Sequence, residues 1–541
     1  MELIILSSLE KVFYDEKPKA KSISGFSMLK NERSSFQAAF CCEKNTTLSV
    51  SLNGVLADFS KLYLVKDVPV GLACFDDADD FYLRKTSGMY PDVLELVDGE
   101  IAVESGKWYS VWVEVSPDEK IIGKSELKIS FLENGNTVSE GSVNIEVIDC
   151  CLEKQSLIHT CWYHADCICN YYGVEAMSDE FWRINKNFIR TAVEHGINCI
   201  LTPVFTPPLD TKVGGERRTV QLVGVKKHGK SYTFDFSNLK KWIDMCNECG
   251  VEYFEMSHLF TQWGAKHAPK IVATDSRGRE KKIFGWKTRT SSKKYDDFLR
   301  AFGAELVKFI DKNSLRDRCF FHVSDEPSMD HLKIYKRRAA LIAKIFDGMR
   351  VIDALSDFTF YEMGAVKLPI PCENNIDEFA GKVPELWTYY CCGQGKEYVP
   401  NRFMAMPSQR NRILGLLLYK YNVKGFLQWG YNFYNLQYSV KDIDPYKITD
   451  AGGNFPSGDS FVVYPSCKGD TLASLRLKVF YDGFQDMMAL QTLENKAGKA
   501  KVDEFLANEA VKLKSFTDYP HETEWLFETR EKINTIIKEN I

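Results

Sequence analysis

The chain has 541 residues, of which 45% are hydrophobic and 26% are charged, and its formal net charge is −5. This length exceeds that of a single domain and supports a large core, which excludes a peptide-sized binding module. The longest basic clusters, Arg277 to Lys282 and Lys226 to Lys230, are short and interrupted, so we expect no nucleic-acid partner.

Residues 1–150 consist of short runs of alternating apolar and polar residues that are separated by turn residues. Typical runs are Ser35 to Phe40, Leu48 to Leu52, Trp108 to Val115 and Val143 to Ile148. This pattern predicts an N-terminal antiparallel β-sandwich domain.

After Cys151, strand-like runs alternate with amphipathic helices. Eight strands are predicted: Leu157 to Trp162, Ile197 to Leu201, Val251 to Met256, Cys319 to Val323, Arg350 to Ala354, Ala365 to Ile370, Leu386 to Tyr390 and Gly425 to Trp429. Because no Gly-rich dinucleotide turn follows the first strand, we expect a (β/α)8 TIM-type barrel and not a doubly wound sheet. The tail is helical and charged, so we predict a β-sandwich over 1–150, a barrel over 151–490 and a C-terminal helical segment over 491–541 that packs on the barrel.

The N-terminus and the cysteines indicate the compartment. Met1 to Leu6 lack a basic leader and are typical of a first strand, not of a signal peptide. No segment approaches the 18 apolar residues that a membrane span needs. The 16 cysteines are scattered and often adjacent, which is no disulfide framework. We expect a cytoplasmic protein without a membrane partner, unless an export signal was removed, and homo-oligomerisation is left open.

Two adjacent carboxylates, Asp325 and Glu326, follow an apolar run and precede Pro327. Carboxylates near a core are costly unless they are paired or functional. Neighbouring residues on a strand face opposite ways, so both acids reach one ligand only if the strand ends before them. The alternative is that Ser324 or Asp325 caps a helix that Pro327 begins.

In a barrel of this type the catalytic groups come from the carboxyl ends of the strands. Here those ends are rich in aromatic and polar residues: Trp162-Tyr163-His164, His258 with Trp263, Asp325-Glu326, Trp387-Thr388-Tyr389-Tyr390 and Gln428-Trp429-Gly430-Tyr431-Asn432. Aromatic faces stack on sugar C–H groups and polar groups meet sugar hydroxyls, which predicts a carbohydrate site. The alternatives are that Trp387 and Trp429 are core residues and that His164, His258 and His322 are structural histidines.

Other kinds of catalytic site find less support. Thiols and imidazoles are closely spaced at Cys161, His164, Cys167 and Cys169, and at Cys246 and Cys249. The last two share the core face of a predicted helix and no second half-site matches them, so we expect neither a metal nor a cofactor. The chain has no Gly-x-Ser-x-Gly elbow, no Cys-Gly-x-Cys-Trp context and no phosphate loop, which leaves acid–base chemistry on a neutral, polyol-like substrate.

Several motifs, taken in order, resemble glycoside hydrolase family 123 and its uncharacterised relatives over about residues 30–490. They are Asn31-Glu32-Arg33-Ser34-Ser35-Phe36-Gln37, Tyr90-Pro91-Asp92-Val93-Leu94, Ser324-Asp325-Glu326-Pro327, Leu386-Trp387-Thr388-Tyr389, Gly425 to Asn432, Gly458-Asp459 with Tyr464-Pro465, and Arg476 with Asp482-Gly483 and Asp486. The resemblance implies a β-sandwich followed by a catalytic (β/α)8 barrel, and a retaining, exo-acting β-N-acetylgalactosaminidase. The implied substrate is an oligosaccharide or glycoconjugate fragment that ends in a β-linked 2-acetamido sugar.

The resemblance further implies substrate-assisted catalysis, in which the 2-acetamido oxygen attacks the anomeric carbon. Glu326 is then the general acid and base, and Asp325 orients the acetamido N–H. Tyr389 is expected to donate to the acetamido oxygen and Trp429 to form the floor of the sugar site. The remaining residues expected to line it are Trp162, Trp387, His258 and Asn432.

Two rival functions stay open. One is a glycosidase of other sugar specificity with a conventional nucleophile, for which Glu255 and Asp353 are candidates. The other is a non-catalytic carbohydrate-binding or scaffold protein.

Overall fold

The computed structural model describes residues 1–508 and 512–541. Within them it shows an N-terminal β-rich region, a nearly closed barrel of eight parallel strands and a C-terminal group of helices. The predicted combination of a β domain and an α/β barrel is thus confirmed.

The N-terminal region contains ten strands in two five-stranded sheets. The strands are β1 (Glu2–Ser7), β2 (Gly25–Lys30), β3 (Ser34–Cys41), β4 (Thr46–Asn53), β5 (Ser60–Val70), β6 (Gly88–Leu96), β7 (Ile101–Val103), β8 (Trp108–Val115), β9 (Gly123–Glu133) and β10 (Asn136–Cys151). One sheet has the order β1-β3-β8-β5-β6 and the other β2-β10-β9-β4-β7. Alternate residues of both sheets, such as Phe36, Val113 and Ile129, are fully buried in one shared core.

The pairing in the second sheet differs from the wholly antiparallel prediction. β2 runs parallel to β10, whereas the other paired strands of the two sheets are antiparallel. Residues 8–24 carry the chain from β1 in one sheet to β2 at the edge of the other. Because β2 reaches that edge through a long connection and not a hairpin, it is free to pair parallel.

The barrel strands are β11 (Ile158–Cys161), β12 (Cys199–Thr202), β15 (Tyr253–Met256), β18 (Cys319–Phe321), β19 (Arg350–Ala354), β20 (Leu368–Ile370), β21 (Trp387–Tyr389) and β22 (Gly425–Gln428). Each of the eight predicted runs contains one of these strands or overlaps most of it. They are hydrogen-bonded in the order β20-β19-β18-β15-β12-β11-β22-β21. The gap between β20 and β21 is bridged by the Tyr389 N–H, which donates to the Pro371 carbonyl at 3.1 Å.

The helices are α1 (Ala165–Tyr172), α2 (Asp179–Glu194), α3 (Ser237–Cys249), α4 (Lys293–Lys312), α5 (Leu332–Ile345), α6 (Thr359–Glu362), α7 (Ile376–Phe379), α8 (Ser408–Arg412), α9 (Leu414–Lys420), α10 (Leu475–Ala497), α11 (Lys499–Ala507) and α12 (Thr523–Glu539). The Ser178 hydroxyl caps α2 by accepting from the Phe181 N–H at 3.2 Å. α3 ends at Gly250, whose φ of 93° is the left-handed conformation that glycine adopts without strain.

A four-stranded sheet that the sequence pattern does not predict is inserted among the barrel strands. It consists of β13 (Gly224–His228), β14 (Ser231–Asp235), β16 (Ile271–Thr274) and β17 (Glu280–Phe284) in the order β14-β13-β16-β17. A hairpin of β23 (Val463–Pro465) and β24 (Thr471–Ala473) follows the barrel.

Buried ion pairs join the β domain to the segment after the barrel. Arg476 donates through Nε to Asp92 Oδ1 at 2.8 Å, and the Tyr464 hydroxyl donates to Asp92 Oδ2 at 2.5 Å. Lys478 pairs with Glu114 at 2.6 Å. Asp92, Tyr464 and Arg476 belong to motifs that carry the family resemblance, so the structure uses these motifs to join the two regions.

The C-terminal helix α12 makes hydrogen bonds to the β domain. Arg530 pairs with Glu32 at 2.7 Å, and Glu531 accepts from the Ser27 N–H at 2.8 Å. The predicted helical segment 491–541 includes residues 509–511, which lie outside the described residues. No helix in the described part of the chain has the length and apolar character needed to cross a membrane.

Candidate active site

A cavity of about 220 Å³ opens at the carboxyl end of the barrel. Seven of the eight barrel strands contribute to its wall, either at their ends or through the loops that follow. The lining residues are Trp162, Leu209, Asp210, Gln262, Trp263, Asp325, Glu326, Ala354, Tyr389, Cys391, Cys392, Leu427, Trp429, Gln437, Tyr438 and Phe455. Five of the predicted site residues, Trp162, Asp325, Glu326, Tyr389 and Trp429, are therefore brought together.

The acid pair lies on an irregular turn after β18. The strand ends at Phe321, and Glu326 has a φ of 42°, which is rare for a residue other than glycine. The Glu326 N–H donates to the Ala354 carbonyl on the next strand at 2.9 Å and holds this conformation. Because the strand has ended, Asp325 and Glu326 both line the same cavity.

The capping alternative is wrong for Ser324. Its hydroxyl accepts from the N–H groups of Gly264 and Ala265, at 3.2 and 3.1 Å, and donates to the Thr261 carbonyl. The helical segment begins with a short 3-10 turn at Met329 that Ser328 caps, so Pro327 does not start it. Ser324 instead ties the acid turn to the loop after β15.

The two acids have different environments. Glu326 is exposed, and its Oε1 accepts from the Tyr389 hydroxyl at 2.7 Å. Asp325 is only 9% exposed, and its carboxylate accepts no hydrogen bond from any described residue. Burial raises the pKa of Asp325 well above its usual range, and the negative charge of Glu326 adds to this effect. Asp325 thus has free acceptor capacity that faces the cavity.

A buried cluster lies beneath the acid turn. His322 Nε2 lies 2.5 Å from Glu255 Oε1, and His322 Nδ1 lies 3.4 Å from Asp353 Oδ1. Burial alone would lower the pKa of His322, but Glu255 and Asp353 raise it to about 10. His322 is therefore a cation between two buried carboxylates at neutral pH.

Each carboxylate of this cluster also holds part of the site. Glu255 Oε1 accepts from Trp162 Nε1 at 2.6 Å and so fixes one aromatic wall. Asp353 Oδ1 accepts from the N–H groups of Val323 and Ser324, at 2.9 and 3.1 Å, just before the acid pair. Both carboxylates are fully buried and neither lines the cavity.

Trp429 forms a second aromatic wall. Its Nε1 donates to Asp459 Oδ2 at 2.9 Å, and its ring packs edge-on against Phe433 and Phe455. Burial raises the pKa of Asp459 to about 7, although Arg402 and the Trp429 hydrogen bond act in the opposite direction.

Three loops form the mouth of the cavity, and the sequence pattern predicts Trp263 as a rim residue but does not predict Asp210 or Tyr438. The exposed rings of Trp263 and Tyr438 meet edge-on with centroids 6.0 Å apart. Asp210 Oδ2 accepts from the Tyr438 N–H at 2.9 Å, and the Asp210 N–H donates to Gln262. Burial raises the pKa of Asp210 to about 6. Asp210, Trp263 and Tyr438 all have positive φ, a conformation that often marks functional loops.

Three residues expected to line the sugar site do not line the cavity. Trp387 precedes Tyr389 by two residues, so its ring lies on the same side of the strand but one layer deeper, where it is fully buried. His258 is stacked on His322 at 4.1 Å and packs beneath Trp162. Asn432 is fully buried, and its Oδ1 accepts from the His164 N–H at 2.8 Å.

A metal-compatible group in the described residues is the buried set His258, His322 and Asp353, whose ligand atoms lie within 4.8 Å of one another. Asp353 already accepts from two backbone N–H groups and from the Tyr335 hydroxyl. His322 is engaged by Glu255, and its ring is parallel to that of His258. His258 differs from the other two, because neither of its buried ring nitrogens has a hydrogen-bond partner among the described residues.

The profile of the glycoside hydrolase 123 catalytic domain matches residues 162–493. No curated protein matches the chain. A solved family 123 glycoside hydrolase from Clostridium perfringens, studied for the details of glycolipid glycan hydrolysis, has 14% sequence identity and a TM-score of 0.77, with 99% of each chain covered. This likeness shows a shared fold.

Two further solved structures are much less similar. A family 2 glycosyl hydrolase from Bacteroides cellulosilyticus has 10% identity and a TM-score of 0.29, with 87% of this chain and 53% of that one covered. A family 5 xyloglucanase from Bacteroides ovatus has 8% identity and a TM-score of 0.27, with 86% and 99% covered. Scores this low have no bearing on fold or function. Because the family 123 profile covers more than half of the chain, this protein belongs to glycoside hydrolase family 123, which supports a glycosidase activity on a glycan.

Proposed function

We propose that the protein is a retaining, exo-acting β-N-acetylhexosaminidase, with N-acetylgalactosamine as the sugar, in which the substrate's 2-acetamido group is the nucleophile. The observation that carries this proposal is the acid pair. Asp325 is buried with an unused carboxylate, Glu326 is exposed and bonded to Tyr389, and both line one cavity. Two acids in different environments suit two roles in one reaction.

In the proposed substrate complex the acid pair holds one proton, and this proton lies on Glu326 because the acetamido N–H beside Asp325 offsets the burial that disfavours the Asp325 carboxylate in the free protein. Glu326 donates this proton to the glycosidic oxygen as the acetamido oxygen attacks the anomeric carbon and the bond from that carbon to the glycosidic oxygen breaks. The acetamido N–H becomes more acidic as positive charge develops on it. The Asp325 carboxylate accepts a hydrogen bond from this N–H and stabilises the charge, most strongly in the low dielectric of its buried position. In the second step, Glu326 removes a proton from the water that opens the oxazolinium ring.

Tyr389 has two proposed partners. In the unliganded protein its hydroxyl donates to Glu326 at 2.7 Å and holds that carboxylate at the cavity wall. Donation to the acetamido oxygen requires the hydroxyl to turn from Glu326 to the substrate. The aromatic rings of Trp162 and Trp429 face the cavity from two sides and would pack on the C–H faces of the sugar.

The rival hypothesis of a conventional enzyme nucleophile needs a different candidate residue. Glu255 and Asp353 are fully buried and fully engaged, so neither is available to attack a sugar in the cavity. Asp210 is instead the third carboxylate in the cavity wall. A covalent mechanism on this scaffold would therefore use Asp210.

The test is hydrolysis of aryl β-glycosides of N-acetylgalactosamine, N-acetylglucosamine, galactose and glucose. We expect turnover only of the 2-acetamido sugars, with N-acetylgalactosamine preferred, and release of the β-anomer first by NMR. Turnover of plain galactosides or glucosides would favour the covalent rival. Sugar binding without any hydrolysis that survives loss of both acids would indicate a binding protein.

Azide distinguishes the two catalytic mechanisms. We expect neither Asp325→Asn nor Asp210→Asn to give a glycosyl azide of inverted configuration, because no enzyme carboxylate forms a covalent bond to the sugar. Formation of such an azide by Asp210→Asn alone would identify Asp210 as a nucleophile and overturn the substrate-assisted mechanism.

The proposed substrate is an oligosaccharide or glycoconjugate fragment with a terminal 2-acetamido sugar. All 16 cysteines are free thiols in the structure. This supports action in a reducing compartment, the cytoplasm in our proposal.

A further inference from the structure

The two basic clusters that are separate in sequence lie together in the inserted sheet. β13 carries Lys226 and runs parallel to β16, with Lys226 opposite Thr274. The turns that follow these two strands therefore lie at the same end of the sheet. One turn carries Lys230 and the other carries Arg277.

The segments that form this region have a strong positive charge. Residues 211–235 and 261–290, which include all four strands of the inserted sheet, together contain fourteen Lys and Arg residues and four Asp and Glu residues, although the whole chain has a net charge of −5. Among these acids, Glu216 pairs with both Lys270 and Lys282, and Asp275 pairs with Arg279. Eight exposed cations of these segments form no salt bridge with any described residue: Lys212, Lys226, Lys230, Lys266, Arg277, Lys281, Lys287 and Arg289. We call these eight residues the cationic set.

The cationic set continues from the mouth of the cavity. Lys266 lies three residues after Trp263, and its carbonyl accepts from the Thr290 N–H at 3.1 Å. The Ala268 N–H donates to the Thr288 carbonyl at 3.0 Å, which aligns residues 287–289 with the segment after Lys266. On the opposite side, the Lys212 N–H donates to the Tyr438 carbonyl at 2.9 Å. Cations thus flank the Trp263–Tyr438 pair and extend outward along the inserted sheet.

We propose that the cationic set binds the continuation of an anionic glycan, one that carries carboxylate or sulfate groups, whose terminal sugar enters the cavity. This inference rests on the proposed function and deepens it by naming the substrate class. An exo-acting cavity takes the terminal sugar, so the rest of the chain lies across the mouth and onto the inserted sheet. Uncompensated cations there repel one another, and a polyanion relieves this repulsion through charge-assisted hydrogen bonds.

The test measures binding separately from hydrolysis. The probes are a chondroitin sulfate oligosaccharide with β-linked N-acetylgalactosamine at its non-reducing end and its chemically desulfated and carboxyl-reduced counterpart, both titrated into the Glu326→Gln protein by calorimetry. We expect the charged probe to bind at least about tenfold more tightly, and its affinity to fall about tenfold or more between about 50 mM and about 200 mM salt, because counterions compete for the cations.

A triple variant at one end of the sheet, Lys226→Gln, Lys230→Gln and Arg277→Gln, should lose about tenfold or more in affinity for the charged probe and little for the neutral one. The matched control is Lys61→Gln, Lys120→Gln and Lys124→Gln, three exposed lysines of the β domain, which should bind both probes as the parent does. Equal affinity for the two probes, or unchanged binding of the charged probe by the triple variant, would overturn the proposal. So would a triple variant that loses binding to anionic phospholipid vesicles but keeps binding of the charged glycan.

The proposed function fails in a different way. If the wild-type protein hydrolyses no 2-acetamido glycoside yet binds the charged probe through the cationic set, the enzymatic proposal is wrong and the glycan-binding surface stands. If it hydrolyses aryl 2-acetamido glycosides but binds both probes equally, the reverse holds.

Discussion

Two groups of carboxylates are distant in the sequence, lie close together at the carboxyl end of the barrel and have opposite environments. Asp325 and Glu326 line the cavity, and the only hydrogen bond to either carboxylate from a described side chain comes from Tyr389. Glu255 and Asp353 lie below them, fully buried, with hydrogen bonds to a tryptophan, a histidine and backbone N–H groups. The acids that can act on a substrate are those whose acceptor atoms the protein leaves mostly unused, with the Tyr389 hydroxyl as the one side-chain donor to them among the described residues.

Glu255 and Asp353 have a structural role that differs from the proposed catalytic role of Asp325 and Glu326. With His322 as a cation between them, Glu255 and Asp353 hold the Trp162 wall and the backbone before the acid pair. We call Asp325 and Glu326 the upper group, and Glu255 and Asp353 the lower group. Replacing a carboxylate of the upper group should therefore slow the chemical step, and replacing one of the lower group should reduce the stability of the folded protein.

The largest expected effect is in the upper group. Replacing Glu326 by Gln removes the proton donor, so kcat/KM for an alkyl β-glycoside should fall by about 10²- to 10⁴-fold. A dinitrophenyl glycoside needs little protonation and should lose far less. Measuring kcat/KM for both substrates checks this, and equal losses would mean that Glu326 is not the acid.

In the lower group, Glu255→Gln leaves the buried His322 cation without one of its two counter-charges. Breaking a buried ion pair in this way costs about 3–5 kcal/mol of stability. Denaturant unfolding of the variant and the parent measures the loss. An unfolding free energy within about 0.5 kcal/mol of the parent would show that the cluster does not support the site.

Tyr389→Phe removes a hydrogen bond to a carboxylate, which is worth about 1.5–3 kcal/mol, so kcat/KM should fall about 10- to 100-fold. The control is Tyr390→Phe, because the Tyr390 hydroxyl is buried and has no hydrogen-bond partner among the described residues. That variant should keep its activity. Similar losses in both would point to packing and not to the Glu326 contact.

The smallest effect concerns pH. The folded-state pKa of Asp459 is about 7, above its usual value of 3.8, so the folded protein holds a proton there that the unfolded chain has lost. This contribution to stability is present at low pH and is lost as pH rises towards 7. Asp459→Asn should therefore be more stable, relative to the parent, at pH 8 than at pH 5, as thermal unfolding would show. A difference that is the same at both pH values would contradict this prediction.

The sequence predicts the barrel because eight short apolar runs alternate with helices of clear period. It also predicts the strand-end residues of the cavity, since Trp162, Tyr389 and Trp429 end strands or follow them directly. It fails for residues such as Asp210 and Tyr438, which come from long loops whose contacts join distant parts of the chain. It also cannot separate Trp387 from Tyr389, because the two residues share a strand face and differ only in depth.

The inserted sheet was missed for a related reason. β13 and β14 are five residues each and alternate weakly, and the other two strands of the sheet, β16 and β17, follow barrel strand β15 in the sequence. The Gly-containing turns at Gly229 and Gly278 were the available signal. The pairing of β13 with β16 is a long-range event that local periodicity does not encode.

Ser324 connects the loop at the entrance of the cavity with the turn that carries the two proposed catalytic acids. Its hydroxyl binds Gly264 and Ala265, and the adjacent Trp263 N–H donates to the Asp325 carbonyl at 2.9 Å. These hydrogen bonds link the loop that carries Trp263 to the turn that carries Asp325. A leaving group that contacts Trp263 can therefore influence the position of Asp325. Distant parts of a glycan can therefore contribute to the rate of bond cleavage as well as to the strength of binding.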